Sequence, residues 1–560
     1  MKNLFFWLVL VGLLQGCKKD EKNSNPSNPN PPGPFKFINA TVDTLTSASF
    51  IFYNVNRQPT TKFYFSAPVN KATASEHIFF TEKSSGTGVP INLSYENNDS
   101  ILIVQPTSTL QPITYYTIKI DTGLHSSANV SLASTAQVFL TTTIDSTDKF
   151  PQITDSALLT LVQQQTFKYF WDFGHPVSGL ARERNTSGDV VTTGGSGFGV
   201  MALLVGIQRN FISRTDGLNR IIEIVSFLTN SAHRYHGAFP HWLNGTTGAT
   251  VPFSTQDDGA DLVETAYMME GLLCARQFFN SSTDTSEINL RTNINNLWNG
   301  VEWNWFRQNG QNTLYWHWSP DFSWSTNQQI NGWNEALITY VLAASSTVDS
   351  NRIPKIVYDN GWALNGNMKN GNSYYGFQLP LGPNLGGPLF FAHYSFLGIN
   401  PNNLSDAYAN YWTQNVNHTE INFSYCVANP GGFNGYSSSC WGLTASDDNN
   451  GYSAHAPDND DGVITPSAAI SSIPYTPAES MNALRFFYYK LGDKIWGQYG
   501  FNDAFNLSNV WFASSFLAID QGPQIIMIEN FRTGLLWNLF MSCPEIKSGM
   551  TSLGFQSPNL

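Results

Sequence analysis

The stretch QDDGADLVETAYMMEG, Gln256 to Gly271, carries five carboxylates in a 560-residue chain of which only 12% is charged. Four kinds of chemistry fit such crowding: a metal site, a solvated helix cap, a catalytic pair of acids, or a sugar-binding edge. With a helix entered near Gly259, Asp261 and Glu264 stand at i and i+3 and share one face, while Asp257 and Asp258 lie in the loop leading to it. Peptide dipoles favour acids in a first helical turn, which accounts for one or two of them. Glu264 is not explained that way, because the TAYMMEGLL after it is apolar enough to be buried.

Two further words repeat the pattern. QQINGWNEALITYVL puts Glu335 at the start of an apolar helix, after Trp324, Asn331 and Trp333. FLAIDQGPQIIMIENFRTG sets Asp520 at the mouth of a loop and Glu529 inside the next helix. Acids at loop-helix junctions flanked by aromatics suit a cleft for sugars. Cleaving a glycosidic bond takes one carboxylic acid to protonate the leaving oxygen and usually one carboxylate to activate water or attack carbon. An i, i+3 pair is about 5–6 Å apart at Cβ, which leaves little room for an inverting water. Glu335 with Asp261 or Glu264, drawn from two separate hairpins, is the better inverting couple.

Composition points the same way. The chain holds 39 Phe, 23 Tyr and 16 Trp beside 44 Gly, the mixture that flat rings for pyranose faces and short loop residues would give, although a Phe-rich core would also produce it. A net charge of −12 with no basic run excludes nucleic acid, which needs clustered Lys and Arg. His233 and His236 are three apart but lack an H-E-x-x-H frame, and no metal is expected. Cys274, Cys426, Cys440 and Cys543 form no C-x-x-C pair; Cys426 with Cys440 as a disulfide and free buried thiols both fit. Gly195-Ser196-Gly197-Phe198-Gly199 invites a nucleotide loop, but the spacing is wrong and no strand is read before it, so close backbone approach at a helix start is the expectation. Residues 447–462, DDNNGYSAHAPDNDDG, lack the register of a calcium loop, and no G-x-S-x-G elbow offers an esterase nucleophile.

The elements that must position these acids fall into two folded parts behind an address label. Met1-Lys2-Asn3 and LFFWLVLVGLL form a secretory signal, and Leu14-Gln15-Gly16-Cys17 resembles a bacterial lipobox with Cys17 as the lipidated residue. Lys18, Lys19, Asp20 and Glu21 resemble the surface-export signal of Bacteroidetes lipoproteins, so a lipid anchor in the outer membrane, on its periplasmic or cell-surface side, is expected. Residues 1–17 are read as the signal and 18–34 as a Pro- and Asn-rich tether. Residues 35–147 are rich in short strand-like words, and FYFSAPVN with LQPITYYTIKI resembles bacterial Ig-like β-sandwich domains. From Ile153 the period becomes helical, with N-caps at Thr154, Asp155 or Ser156 and amphipathic segments near 197–213, 217–232, 261–279, 285–299, 332–346, 404–413, 477–491 and 523–541. About a dozen helices over 150–547 with long loops between them predict an all-α (α/α)6 barrel, with a helical solenoid as the competitor.

At FKYFWDFGHPVSGLARERN, TTGGSGFGVMALLVG, QDDGADLVETAYMMEGLL, NGWNEALITYVLAASS, GGPLFFAHYSFLGINP, DDGVITPSAAISSIPYTPAESMNALRFFY and FLAIDQGPQIIMIENFRTGLLW the sequence resembles the endo-β-1,2-glucanases of glycoside hydrolase family 144, over about residues 150–545. The resemblance implies an (α/α)6 catalytic domain and a metal-free, inverting hydrolase that releases sophoro-oligosaccharides from β-1,2-glucan; separately, a monomer is the expected state. The resemblance also implies Glu335, Glu264 and Asp261 as catalytic acids, with Asp257, Asp258 and Asp520 beside the substrate. Arg182, Arg184, His241, Trp242, Trp324 and Trp333 are the candidates for the substrate rim. Related enzymes release sophorose from chain ends, so exo action is the alternative. A non-catalytic glycan-binding lipoprotein, and a hydrolase for another glucose or galactose linkage, are the competing classes.

Overall fold

The structure, a computed structural model, describes residues 33–560; the signal segment with Cys17, and the tether up to residue 32, lie outside the described residues. The chain divides into two compact units, one drawn mainly from residues before 140 and the other mainly from those after it.

The first unit is built from strands because its residues alternate. In β-rich words such as TKFYF, Phe63 and Phe65 are buried while Lys62 and Tyr64 are half-open. The strands are β1 (Phe37–Val42), β2 (Leu45–Thr46), β3 (Ile51–Val55), β4 (Thr61–Phe65), β5 (Ile78–Glu82), β6 (Ile91–Glu96), β7 (Ile101–Pro106), β8 (Tyr115–Ile120) and β9 (Ala136–Thr142). One sheet runs β2-β1-β4-β7-β6 and the other β3-β9-β8-β5. Among the described residues of this unit one helix, α1 (Lys71–His77), is present, and the Asn70 side chain caps it.

The second unit is helical: α2 (Asp155–Trp171), α3 (Thr193–Gln208), α4 (Arg214–Asn230), α5 (Leu262–Phe278), α6 (Thr285–Asn299), α7 (Leu337–Ser345), the short α8 (Lys355–Val357), α9 (Tyr411–Ala428), α10 (Pro466–Ser471), α11 (Pro477–Ile495), α12 (Ala518–Thr533), α13 (Leu535–Met541) and α14 (Pro544–Leu553). Two kinds of helix alternate along the chain. α3, α5, α7 and α10 are buried along almost their whole length, and α12 is buried from Asp520 to Asn530. Helices α2, α4, α6 and α11 bury one stripe and leave the other open. The buried helices pack on one another, α3 against α5 and α12, α12 against α10, and α5 against α7.

Glycine sets how close α3 and α5 come. A Cβ on Gly197 would stand 2.2 Å from the Tyr267 carbonyl oxygen, and one on Gly271 would stand 2.2 Å from that of Gly197. The glycine run therefore serves close backbone approach at a helix start. A short strand, β10 (Val190–Thr192), does precede it, contrary to the sequence reading. That strand pairs antiparallel with β11 (Trp242–Asn244), and β11 with β12 (Thr250–Val251), which is not the parallel βαβ context of a dinucleotide loop.

Other differences have physical causes. The segment 404–413 is mostly loop, and the helix there is α9, which buries Asn415, His418 and Asn422 and so shows no apolar period. α12 starts at Ala518, so Asp520 is in its first turn rather than in a loop, and Pro523 lies inside the helix. Glu529 is fully buried and held by Arg209 at 2.6 and 2.9 Å, a structural ion pair. Cys274, Cys426, Cys440 and Cys543 are buried free thiols, and no helix among the described residues is long and apolar enough to cross a membrane.

Gly197→Ala should cost about 1–3 kcal/mol by overpacking the α3–α5 contact, whereas Gly88→Ala, with nothing within 4 Å of the added carbon, should leave stability unchanged. Chemical denaturation of the two variants side by side measures the difference.

Candidate active site

A cavity of about 500 Å³ opens among the helix starts and loops of the second unit, lined by Glu183, Arg184, Thr192, His241, Trp242, Phe253, Glu264, Tyr267, Trp316, Glu335, Phe390, Tyr394, Ala445, Tyr452, Ala454, Leu517 and Ile519. Three of the lining residues are acidic, and half of the others are Phe, Tyr or Trp.

Glu264 is on the first turn of α5. Its carboxylate accepts the Gly194 N–H at 2.6 Å and faces the Thr192 hydroxyl at 3.4 Å. A Cβ on Gly194 would stand 2.6 Å from Glu264 Oε2, so only glycine lets that amide reach the acid. Burial raises the Glu264 carboxyl above its ordinary range, and the nearby His241 pulls it back. Glu335 sits in the turn before α7. Its carbonyl accepts hydrogen bonds from Tyr267 Oη at 3.3 Å and from Ser395 Oγ, which pins the backbone and leaves the carboxyl to the cavity. Desolvation, with smaller repulsion from Glu264 and Asp261, pushes Glu335 up to about 7.

Asp261 has both of its oxygens engaged by the chain around it. It is the N-cap of α5: Oδ1 accepts the Val263 N–H at 3.0 Å and the Glu264 N–H at 2.9 Å. Oδ2 meets His241 Nδ1 at 3.0 Å and His317 Nε2 at 3.4 Å. It is fully buried and does not line the cavity. Despite the burial, the two imidazoles hold it well below the usual carboxylate range. Backbone pairing creates this meeting, since β13 (Ala260–Asp261) runs antiparallel to His317–Trp318 with Asp261 opposite His317. Thr192 opposite Trp242 likewise brings His241 and Trp242 to the Glu264 wall. Asp257 lies behind, with Oδ2 at 3.3 Å from His317 Nε2, and burial together with Asp261 raises it to about 6. Asp258 is half-buried beside it, with Oδ1 lacking a partner.

His241, Asp257 and Asp261 bring one potential ligand atom each within 4.8 Å of one another. Both Asp261 oxygens are already occupied, Oδ1 by amides and Oδ2 by imidazole nitrogens, so the group is a set of ion pairs rather than an open cage for a metal.

The lining holds a second acidic group around Arg184. Arg184 bonds both Glu183 oxygens at 3.0 and 3.1 Å and both Asp447 oxygens at 3.1 Å. Asp447 N donates to Asp503 Oδ2 at 2.7 Å. Asp503 and Asp520 are buried partners; desolvation, with repulsion from Asp447, drives Asp503 up to about 7, and desolvation with repulsion from Asp503 drives Asp520 well above its ordinary value. Asp520 therefore stands behind the cavity wall that Leu517 and Ile519 form.

The cavity thus gathers Glu264, Glu335, His241, Trp242 and Arg184, and leaves out Asp257, Asp258, Asp261 and Asp520. Three other candidates are elsewhere. Arg182 donates to the Gly188 and Phe173 carbonyls and covers the Phe173 ring. Trp324 packs on Trp305 with ring centres 4.8 Å apart, and Trp333 is a core residue near Phe396 and Tyr411. Sequence reading missed Glu183, His317, Asp447, Asp503 and the tyrosines Tyr267, Tyr394 and Tyr452. Glu183 could have been found, standing between the two arginines already singled out, whereas His317 has no signal short of its pairing with Asp261.

Comparison with known proteins bears on this arrangement. A family model described as "Putative glucoamylase" matches residues 327–544, and one described as "Bacterial Ig-like domain" matches 44–143. A solved "putative glucoamylase" from Bacteroides uniformis is 56% identical, with 73% of this chain and 100% of that chain covered at a TM-score of 0.72. The chain belongs to the glucoamylase-like family. Within that family, the endo-β-1,2-glucanase of Chitinophaga pinensis, solved with sophorotriose and glucose, is 50% identical over 73% of this chain and 100% of its own, at a TM-score of 0.71. The exo β-1,2-glucooligosaccharide sophorohydrolase (non-reducing end) of Parabacteroides distasonis is 46% identical over 424 residues, 72% of this chain and 58% of that relative. The chain therefore spans less than two thirds of that relative's length.

The His241–Asp261 pair sets a stability window. His241, raised to about 9 by Glu264 and Asp261 against burial, contributes stability that is complete below an imidazole's unfolded value, about 6.5, and lost as the pH climbs through 9. Asp261, depressed, contributes above its unfolded value and loses its share as the pH falls below about 4. Urea midpoints of the wild type and His241→Gln should therefore differ most between about pH 4 and 6.5 and converge on either side.

Proposed function

We propose that the chain hydrolyses β-1,2-glucan to sophoro-oligosaccharides by a single inverting displacement, with Glu335 as proton donor and Glu264 as the carboxylate that activates water. The observation that carries this reading is the placement of two separately anchored glutamates on one aromatic-walled cavity, in electrostatically different surroundings. Glu335, desolvated and repelled by Glu264 and Asp261, retains its proton near neutrality, as a donor to the leaving oxygen must. Glu264 has an amide hydrogen bond and a neighbouring imidazole, which favour its anion. Trp242, Phe253, Trp316, Tyr394 and Tyr452 supply ring faces for glucose units.

Likeness to the endo-acting relative across the whole of that relative's chain supports internal cleavage. The sophorohydrolase relative supports a second reading, release of sophorose from the non-reducing end. The alternation of buried and half-open helices, with α12 packed back on α3, supports closure of the helical unit into an (α/α)6 barrel rather than an open solenoid. The lipobox-like Leu14–Cys17 supports a membrane-tethered address.

On linear β-1,2-glucan, Glu335→Gln and Glu264→Gln should each lose about a thousandfold in kcat/KM. On β-sophorosyl fluoride, whose leaving group needs no proton, Glu335→Gln should recover most of its activity and Glu264→Gln should not; recovery by Glu264→Gln alone would reverse the assignment. An early ladder of product lengths means internal cleavage, sophorose alone means exo action, and tight binding without any turnover would leave only a glycan-binding protein.

A further inference from the structure

The ion pairs behind the cavity have a direction. Asp261 is fully buried, and its Oδ1 is committed to the two amides that begin α5. Its Oδ2 lies nearest His241 Nδ1, at 3.0 Å, with His317 Nε2 farther off at 3.4 Å and 3.3 Å from Asp257. His241 is thus the first partner of Asp261, and His317 spans the gap to Asp257. The remaining faces of the His241 ring meet Phe253, with centres 4.3 Å apart, and the edge of Trp242 at 5.8 Å. The ring lines the cavity beside Glu264, the acid on the same first turn as its clamp.

We propose that His241 is a positioning residue for Glu264: clamped as an imidazolium by Asp261, it holds the Glu264 carboxyl ionised so that this group can take a proton from water. The ring is only partly exposed, its side chain 24% accessible, and without an anion beside it burial would favour the neutral imidazole. The charged groups that face it are Asp261 and Glu264 from α5, Asp257 from the preceding loop and His317 from the paired strand; the acids outweigh His317 and burial together. In the opposite direction, His241 is the largest influence that lowers Glu264, against burial and repulsion from Asp261. Glu335 receives no such help, which separates the two carboxyls into a carboxylate and an acid.

The inference rests on Glu264 being the water-activating group, so its test needs a readout that does not depend on turnover. His241→Gln keeps a donor for Asp261 without a charge, and Asp261→Asn keeps the helix cap without the clamp. In His241→Gln the titration of the Glu264 carboxyl followed by carbon-13 NMR should move up by about one pH unit or more; in Asp261→Asn it should move by less, because the repulsion that Asp261 exerts on Glu264 goes with the clamp. The acid limb of kcat/KM should move with it, narrowing the bell toward the alkaline limb set by Glu335, and His241→Arg should bring the limb part-way back. A loss that is equal at every pH, with the Glu264 titration unmoved in a protein that still cleaves glucan, overturns the clamp. A moved titration in a wild type inactive on glucan overturns the catalytic reading and leaves the clamp standing.

Discussion

The candidate site depends on one buried anion. Asp261 begins α5, so its carboxylate fixes where the helix starts and, three residues on, where Glu264 points. The same carboxylate gathers two imidazoles from loops far apart in sequence, His241 at 3.0 Å and His317 at 3.4 Å. A buried charge without partners is prohibitively costly, and this one has four hydrogen-bonding contacts. The helix start, the β13 pairing and the cation at the cavity wall are therefore a single arrangement and not three.

Around that anion the helices supply distance and rigidity. Gly197 and Gly271 bring α3 and α5 to backbone contact, and Gly194, at the start of α3, delivers an amide to Glu264 at 2.6 Å. Glu335 comes from the turn before α7, pinned through its own carbonyl by Tyr267 of α5 and by Ser395. Both glutamates are thus anchored to α5, directly or through Tyr267. Elsewhere on the lining, Arg184 ties Glu183 to Asp447, which pairs across a hairpin with Tyr452.

Much of this is legible in the sequence wherever chemistry is local. The strand words, the shift to a helical period near residue 153 and the crowding of acids before an apolar helix all follow from nearest-neighbour preferences. Glu264 and Glu335 stand out because an acid followed by an apolar helix is locally inconsistent, and such conflicts collect at functional sites. The polar helix α9 was not legible, because it buries asparagines and a histidine whose partners are distant in sequence, such as Gln414 with Leu381 and Asn422 with Leu443. Trp324 and Trp333 had the right residue type beside the right words and are taken up by aromatic packing instead.

By itself, the sequence determined the order of the two units, the helical character of the second, and which acids begin helices, because capping, period and turn chemistry act within a few residues. Only the tertiary structure decided which of those acids face a common cavity. Asp261 and Glu264 are three residues apart, yet one is sealed beneath the wall and the other lies on it, while Glu183, Glu264 and Glu335 meet from separate segments. Protonation was decided there as well, since it depends on burial and on charges brought near by folding, and neither can be read from spacing along a chain.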